Sequence, residues 1–252
     1  MTGMYAKGNI FCATALRDSQ RRVETLRFAM SLHETVLQSQ PTETHEFIKT
    51  LHAQGKLLHC YTQNVDLLDA RVGLSTDLGD SSMQCVPLHG TVHSLRCPAC
   101  CQTYGWGRVG ATRRASTIGC LRPNMVYLGE DHWQGEEIAD LIDRDLSADP
   151  DALLILGTSL KVKGPGELVK MFASTVRAKG RRVIYVNLSK SYRKWRKTFD
   201  YWVEWKCDCW VLDVKMRAPR FHAGRGMATN YHRRNRIPYA GGLLFHTVIQ
   251  TD

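Results

Sequence analysis

The stretch from residue 153 to residue 188 constrains the fold of this chain most strongly. Residues 153–156 are a short continuous apolar run, which is typical of a strand covered on both faces of a parallel sheet. A helix with one apolar side follows over residues 166–179, and residues 183–188 read as the next strand. Because such crossovers are right-handed, the two strands are predicted to be parallel neighbours, with a ligand crevice at their carboxyl ends.

The first half of the chain repeats this alternation of helices and strands. Helical periodicity covers residues 14–38 and 42–54, and a strand buried on both faces is predicted over residues 57–65. A further short helix is predicted over residues 136–146, before the strand that begins at residue 153. The sequence therefore predicts an α/β fold with a Rossmann-like parallel sheet.

Two segments depart from this pattern. Residues 91–120 are rich in Cys, Gly and Arg without a sustained apolar period, and we expect a small cysteine-bearing insertion module there. Residues 215–252 carry seven Lys or Arg against one acid, whereas the whole chain has a net charge of +10. This basic tail, 213–252, is expected to be poorly ordered and solvated; the alternative is weak nucleic-acid contact through phosphate neutralisation. No signal peptide or membrane partner is expected.

The nine cysteines, without a secretory signal, favour reduced thiols or metal ligands over disulfides. Cys97 and Cys100 have the spacing of half a structural zinc site. The next cysteine before the following motif, apart from the adjacent Cys101, is Cys120. We therefore take Cys97, Cys100 and Cys120 as the candidate zinc ligands.

Polar residues follow several of the predicted strands. Gln63–Asn64–Val65–Asp66 ends the first strand, Gly157–Thr158–Ser159 follows the apolar run, and His89–Gly90 lies between them. Such side chains can hold a ribose, a carboxamide or a phosphate. Each also has an ordinary structural interpretation: Asn and Asp commonly close turns, and a lone His is usually structural. Residues 125–128 are good strand formers, so an edge strand is the plain interpretation there.

Four segments follow one another along the chain: residues 61–66, residues 87–90 leading to Cys97–Cys100, residues 121–130 and residues 153–159. In this order they resemble the sirtuins, a family of NAD-dependent protein lysine deacylases. The resemblance covers about residues 2–212, taken as the catalytic domain, and it implies that NAD is bound. The resemblance implies that His89 acts as a general base and that Asn64 orients the ribose and the water. It further implies NAD contacts for Gln63, Val65, Asp66, Gly157, Thr158, Ser159, Asn187, Leu188 and Cys207, and acyl-lysine contacts for Val126, Gly129 and Glu130.

The chain departs from the sirtuin pattern in two places besides the cysteines. Residues 1–60 contain only Gly3, Gly8 and Gly55, so a sheet shortened at its amino-terminal end and lacking the Gly-Ala-Gly phosphate loop is expected. Leu67 stands where the family has Gly, which adds bulk beside the nicotinamide pocket.

Details such as residues 41–45 and 202–205 resemble the fungal nuclear branch of the family. That resemblance implies removal of acetyl groups from histone lysines in the nucleus, with release of nicotinamide and O-acetyl-ADP-ribose. The alternative is a catalytically inactive sirtuin that keeps only a chromatin- or protein-binding role.

Overall fold

The computed structural model describes residues 11–108, 121–189, 193–195, 197–218 and 247–250. The chain divides into two compact units, which are treated separately below. Unit 1 comprises Met1–Gln40, Gln63–Leu68 and Pro87–Glu136. Unit 2 comprises Pro41–Thr62, Asp69–Val86 and Glu137–Asp252.

The described residues form nine strands and six α-helices, which alternate over residues 135–186. The strands are β1 (His59–Thr62), β2 (Cys85–Pro87), β3 (Gly90–Arg96), β4 (Thr103–Gly105), β5 (Arg122–Met125), β6 (Ala152–Leu156), β7 (Arg182–Val186), β8 (Tyr201–Val203) and β9 (Thr247–Gln250). The helices are α1 (Ser19–Gln38), α2 (Glu43–Ala53), α3 (Leu68–Arg71), α4 (Gly135–Ser147), α5 (Lys163–Ala178) and α6 (Cys207–Arg217). No helix in the described ranges combines the length and apolar character needed to cross a bilayer.

A six-stranded sheet in the order β2-β1-β9-β6-β7-β8 forms the centre of unit 2. Strands β6 and β7 pair in parallel from Ala152 opposite Arg182 to Leu156 opposite Val186, as the strand–helix–strand pattern predicted. All five residues of β6 are buried, because the sheet is covered on both faces. The predicted α/β fold with a parallel sheet is confirmed.

The position between β1 and β6 is filled by β9, which runs parallel to both. Val248 is opposite Cys60 on one side and Leu154 on the other. We expected a poorly ordered tail from residue 213. In the described part of that tail, residues 213–217 complete α6 and Thr247–Gln250 lie inside the sheet. A strand at this position satisfies backbone groups of both β1 and β6 that would otherwise be buried without partners.

Helices α2 and α6 of unit 2 are joined at their first turns by one carboxylate. Asp208 Oδ1 accepts hydrogen bonds from the Thr44 backbone N–H at 3.0 Å and from the Thr44 hydroxyl at 2.6 Å. The carboxylate therefore satisfies donors at the start of α2, where the helix itself offers no acceptor. Burial raises the pKa of Asp208, but hydrogen bonds from Thr44 and Thr42 outweigh it and leave the pKa lowered.

Asp208→Ala is expected to destabilise the protein by about 1–3 kcal/mol, because buried Thr44 loses the acceptor of two hydrogen bonds. Since the native pKa of Asp208 lies below its ordinary 3.8, its contribution is present above about pH 4 and is lost as the pH falls through the native value. Urea unfolding of both proteins at several pH values measures the difference. A difference that persists unchanged at acid pH would contradict the role of the ionised carboxylate.

Unit 1 contains a three-stranded antiparallel sheet in the order β4-β3-β5. Strand β3 runs through the start of the segment in which we expected no regular apolar period, and its buried residues are Gly90, Val92 and Leu95. The core of the unit contains side chains from α1, β3 and the segment around β5: Phe11, Ala29, Val36, Val65, Val92, Met125 and Tyr127. The predicted insertion module is therefore joined to a larger unit, and residues 109–120 lie outside the described residues.

Candidate active site

His89 in unit 1 is held by the backbone on two sides. Its Nδ1 lies 3.0 Å from the carbonyl oxygen of Gln63, and its own carbonyl accepts a hydrogen bond from the Val126 N–H at 3.0 Å. Because a carbonyl oxygen can only accept, Nδ1 carries the proton in this contact. In the neutral ring, Nε2 then keeps its lone pair and can accept a proton from a bound molecule.

The surroundings of His89 favour its neutral form. Burial lowers the pKa of His89 below its ordinary 6.5, and this outweighs the hydrogen bond to the Gln63 carbonyl, which acts in the opposite direction. The imidazole is therefore unprotonated at neutral pH. Its chemistry is that of a proton acceptor with a fixed tautomer, as general base catalysis requires.

Gly90 adopts a backbone conformation and a packing position that only glycine fits. Its φ is +71°, in the left-handed region. A Cβ built there would collide with the backbone oxygen of Asn124 and would lie 2.6 Å from Cη2 of Trp133. The chain after His89 can therefore approach β5 closely only because this position carries no side chain.

Gly90→Ala is expected to destabilise unit 1 by at least about 3 kcal/mol, combining the left-handed penalty with overpacking. Thermal unfolding measures the loss. Gly107→Ala is the control, because a Cβ at Gly107 meets nothing within 4 Å. Equal melting temperatures for the wild-type and Gly90→Ala proteins would contradict the close packing described here.

The segment from Gln63 to Asp66 is fixed by unit 1 partners. The carbonyl of Val65 accepts from the Val92 N–H at 2.9 Å, and Asp66 Oδ1 accepts from the Leu68 N–H at 3.0 Å. The latter bond is the turn closure that an Asp after a strand commonly makes. Leu67 has a φ of +52°, so the residue that replaces the glycine of the resembled pattern adopts the conformation that glycine favours.

The proposed acyl-lysine segment also belongs to unit 1. The Val126 N–H donates to the His89 carbonyl, and the Glu130 N–H donates to the Tyr127 carbonyl at 3.0 Å. The Glu130 carboxylate pairs with Arg122 at 2.5 Å, and Gly129 has a φ of +88°. Regular strand β5 ends at Met125, earlier than the predicted strand, but Leu128 still bridges to Cys12. The structure thus places Val126 immediately beside the histidine backbone.

The cysteine module offers two described thiols of the predicted zinc set. Cys97 is buried and Cys100 exposed, while Cys120 lies outside the described residues. Hydrogen bonds from the backbone of Cys100 and Ala99, and from the Cys100 side chain, lower the pKa of Cys97. A loop whose N–H groups stabilise a thiolate suits a metal ligand. The spacing of Cys97 and Cys100 is that of half a tetrahedral thiolate site.

In unit 2, the residues after β6 form a tight turn. The Gly157 N–H donates to the Val186 carbonyl at 2.9 Å, and the Thr158 hydroxyl accepts from the Leu160 N–H at 3.1 Å. Thr158 is buried, whereas Ser159 is exposed. The Thr158 side chain therefore shapes the turn, and Ser159 presents a hydroxyl at the carboxyl end of β6.

The residues after β7 lie at the same edge of the parallel sheet. Asn187 is 7% exposed, and its Nδ2 donates to the Ser189 carbonyl at 2.9 Å. Leu188 is 61% exposed, and the Cys207 thiol at the start of α6 lies 3.7 Å from the Val186 carbonyl. The carboxyl edge of the parallel sheet in unit 2 therefore contains five residues that are up to 50 residues apart in sequence: Gly157, Ser159, Asn187, Leu188 and Cys207.

Sequence reasoning missed a second histidine in unit 1. His93 Nε2 lies 2.6 Å from the Asp66 carbonyl oxygen, so it donates there and restrains the same loop that His89 contacts through Gln63. His33 stacks on Trp106 with ring centroids 5.3 Å apart and meets His93 edge to face. The His-x-x-x-His spacing from His89 to His93 was the available signal, but alternation along β3 had not been recognised.

The fold and these sites define a class: an α/β protein with a Rossmann-like sheet, and a second unit that presents a neutral, half-buried histidine. Residues 1–164 match the Sir2 family model. The chain belongs to the Sir2 family.

Two fungal relatives and one solved structure document the similarity. The NAD-dependent histone deacetylase HST3 of Candida albicans is 34% identical over an alignment of 250 residues, covering 84% of this chain and 51% of the relative. HST3 of Saccharomyces cerevisiae is 31% identical, covering 84% and 56%. A solved structure of Sir2 with a p53 peptide and NAD+ has a TM-score of 0.69 at 23% identity, over 87% of this chain and 86% of that one. The chain spans about half the length of these curated relatives, and the structural match shows the fold.

Proposed function

We propose that the protein removes acetyl groups from protein lysines with consumption of NAD. The single observation that carries this proposal is the state of His89: neutral, with Nδ1 bound to the Gln63 carbonyl and Nε2 left as an acceptor. The names of the two relatives describe NAD-dependent histone deacetylases, which supports this reaction. When bound, NAD would supply the ribose carbon at which the acyl oxygen displaces nicotinamide, and the ribose hydroxyl that finally carries the acetyl group.

The roles proposed in unit 1 are those that the family resemblance implies, and the contacts of His89 support its own role. His89 accepts a proton at Nε2 from a ribose hydroxyl, and the Gln63 carbonyl holds its tautomer throughout. Asn64 orients ribose and water, and Val65 and Asp66 border the nicotinamide. The acyl-lysine peptide pairs with the backbone around Val126, Gly129 and Glu130, a mode that gives affinity with little side-chain specificity.

The roles in unit 2 concern the adenosine half of NAD. The exposed Ser159 hydroxyl and the Asn187 side chain suit ribose or phosphate oxygens, and the Gly157–Thr158 turn positions them. Leu188 and Cys207 contribute apolar contact. The donor set fits a nucleotide, because hydroxyl and amide groups stand at the carboxyl ends of two parallel strands.

A structural zinc ion held by Cys97, Cys100 and Cys120 is part of this proposal, supported by the stabilised Cys97 thiolate. Its role would be to fix the loop between β3 and β4. Elemental analysis should find less zinc in Cys97→Ser than in the wild-type protein.

Acetylated histone is the proposed substrate and the nucleus the proposed setting, on the strength of the histone deacetylase names of the relatives. The basic residues of 215–252 could add weak contact with nucleic acid. That contribution would fall steeply with salt.

The experiment incubates the full chain with millimolar NAD and an acetylated histone peptide, and it measures the amounts of nicotinamide and deacetylated peptide formed. Nicotinamide and deacetylated peptide should appear in equal amounts, and only when NAD is present. Deacetylation without NAD, or nicotinamide release without deacetylation, would contradict the proposal.

A second candidate function is acetyl-lysine binding without turnover. It is supported by the segment around Val126, Gly129 and Glu130, whose backbone can pair with an extended peptide whether or not NAD is bound. Calorimetry with NAD separates the candidates, because the binding-only protein would hold the peptide but show no saturable NAD binding.

A further inference from the structure

A second cysteine cluster lies in the core of unit 2, apart from the Cys97 module. One ligand atom from each of Cys60, Asp69 and Cys85 lies within 4.8 Å of the other two. The three residues are 0%, 1% and 0% exposed. Cys60 belongs to β1, Asp69 to α3 and Cys85 to β2, so the cluster joins three elements.

The two cysteines are brought together by strand pairing. The Cys60 N–H donates to the carbonyl of Gln84, the residue before Cys85, at 2.8 Å. This contact fixes the pairing of β1 and β2 at the cysteines, and their thiols are hydrogen-bonded to each other. The Cys85 side chain is in turn hydrogen-bonded to Asp69. The three polar side chains therefore form one continuous network inside an otherwise apolar core.

We propose that Cys60, Asp69 and Cys85 bind a thiophilic divalent cation such as Zn²⁺. Binding would replace the two thiol protons, releasing two H⁺ as two metal–sulfur bonds and one metal–oxygen bond form. Two protons leave as one divalent ion enters, so the exchange adds no net charge to the core. Two sulfur ligands and one oxygen ligand select zinc-like ions over calcium or magnesium.

Within the described ranges, no fourth His, Cys or acidic side chain joins the cluster. A backbone carbonyl or a water molecule would complete a tetrahedron. Because the ligands are buried, the metal would enter during folding or local opening. A bound ion would tie β1 to β2 four residues before Asn64 and four residues before His89 along the chain.

The test uses the full chain with Cys97→Ser and Cys100→Ser, refolded under reducing conditions with Cd²⁺, whose thiolate bonds absorb in the ultraviolet. We expect one Cd²⁺ per chain, with an affinity that rises about 100-fold per pH unit because two protons leave. Adding Cys60→Ala or Cys85→Ala should abolish the absorption. Adding Cys209→Ser, an exposed cysteine of unit 2, should leave it unchanged.

The same comparison in the wild-type background keeps the test decisive if the double serine variant does not fold. Wild type should then bind one more Cd²⁺ than a folded Cys60→Ala protein, and Zn²⁺ should raise the melting temperature of wild type more than that of Cys60→Ala. Absorption that survives Cys60→Ala in the double serine background, or a folded wild type that binds no more Cd²⁺ than Cys60→Ala, would overturn the proposal. Formation of a Cys60–Cys85 disulfide with peroxide, without any metal uptake, would also overturn it.

Discussion

His89→Ala is expected to lower kcat/KM for deacetylated-peptide formation by about 10²–10⁴-fold, the range of a positioned general base. The substitution removes the nitrogen that accepts the ribose proton in the proposed reaction. The backbone contacts through the His89 carbonyl and Gly90 remain available, so peptide binding should change little. Rate measurement at saturating NAD, with peptide affinity measured separately, distinguishes loss of chemistry from loss of the site.

His52→Ala is the matched control, because His52 is exposed on α2 in unit 2. It should keep the wild-type rate. A His89→Ala protein that is folded and equally active would remove His89 from the mechanism, whatever the family resemblance implies.

Val248→Pro is expected to cost at least about 3 kcal/mol of folding free energy and to prevent stable folding of unit 2. Val248 is the position in β9 that faces Cys60 of β1 and Leu154 of β6. Proline removes a backbone N–H and does not fit the centre of a sheet. Urea unfolding followed by circular dichroism measures the loss.

Val248→Ile, which keeps the N–H and a β-branched side chain, is the control and should remain close to wild type. If Val248→Pro unfolds at the same urea concentration as Val248→Ile, β9 does not contribute to the central sheet.

Strands β6 and β7 and helix α5 could be predicted because the sequence patterns that define them lie close together in the chain. The apolar run of β6, the amphipathic pattern of α5 and the strand β7 all lie within 35 residues, and their order fixes parallel pairing. Strand β9 could not be placed this way. Thr247–Gln250 contains two β-branched apolar residues, but its partners β1 and β6 are distant in sequence, and the basic residues before it suggested a solvated tail.

In the candidate site, too, some features could be predicted from local sequence and others depend on how the chain packs. His89 and Gly90 were identified from their motif, but the contact between His89 Nδ1 and the Gln63 carbonyl depends on how unit 1 packs. The positive φ of Leu67 was not predicted, although the expected glycine at that position was the signal. The Cys60 and Cys85 pair was missed because 25 residues separate them and neither belongs to a Cys-x-x-Cys motif.

If His89 is a neutral general base, kcat/KM for deacetylation should fall as the pH drops through the pKa of His89, because a base must be unprotonated. Burial lowers that pKa, so the half-maximal rate should lie below pH 6.5, the ordinary value for histidine. Measurement of kcat/KM against pH decides between the outcomes, since a half-maximal rate at or above pH 6.5 would exclude this role for His89.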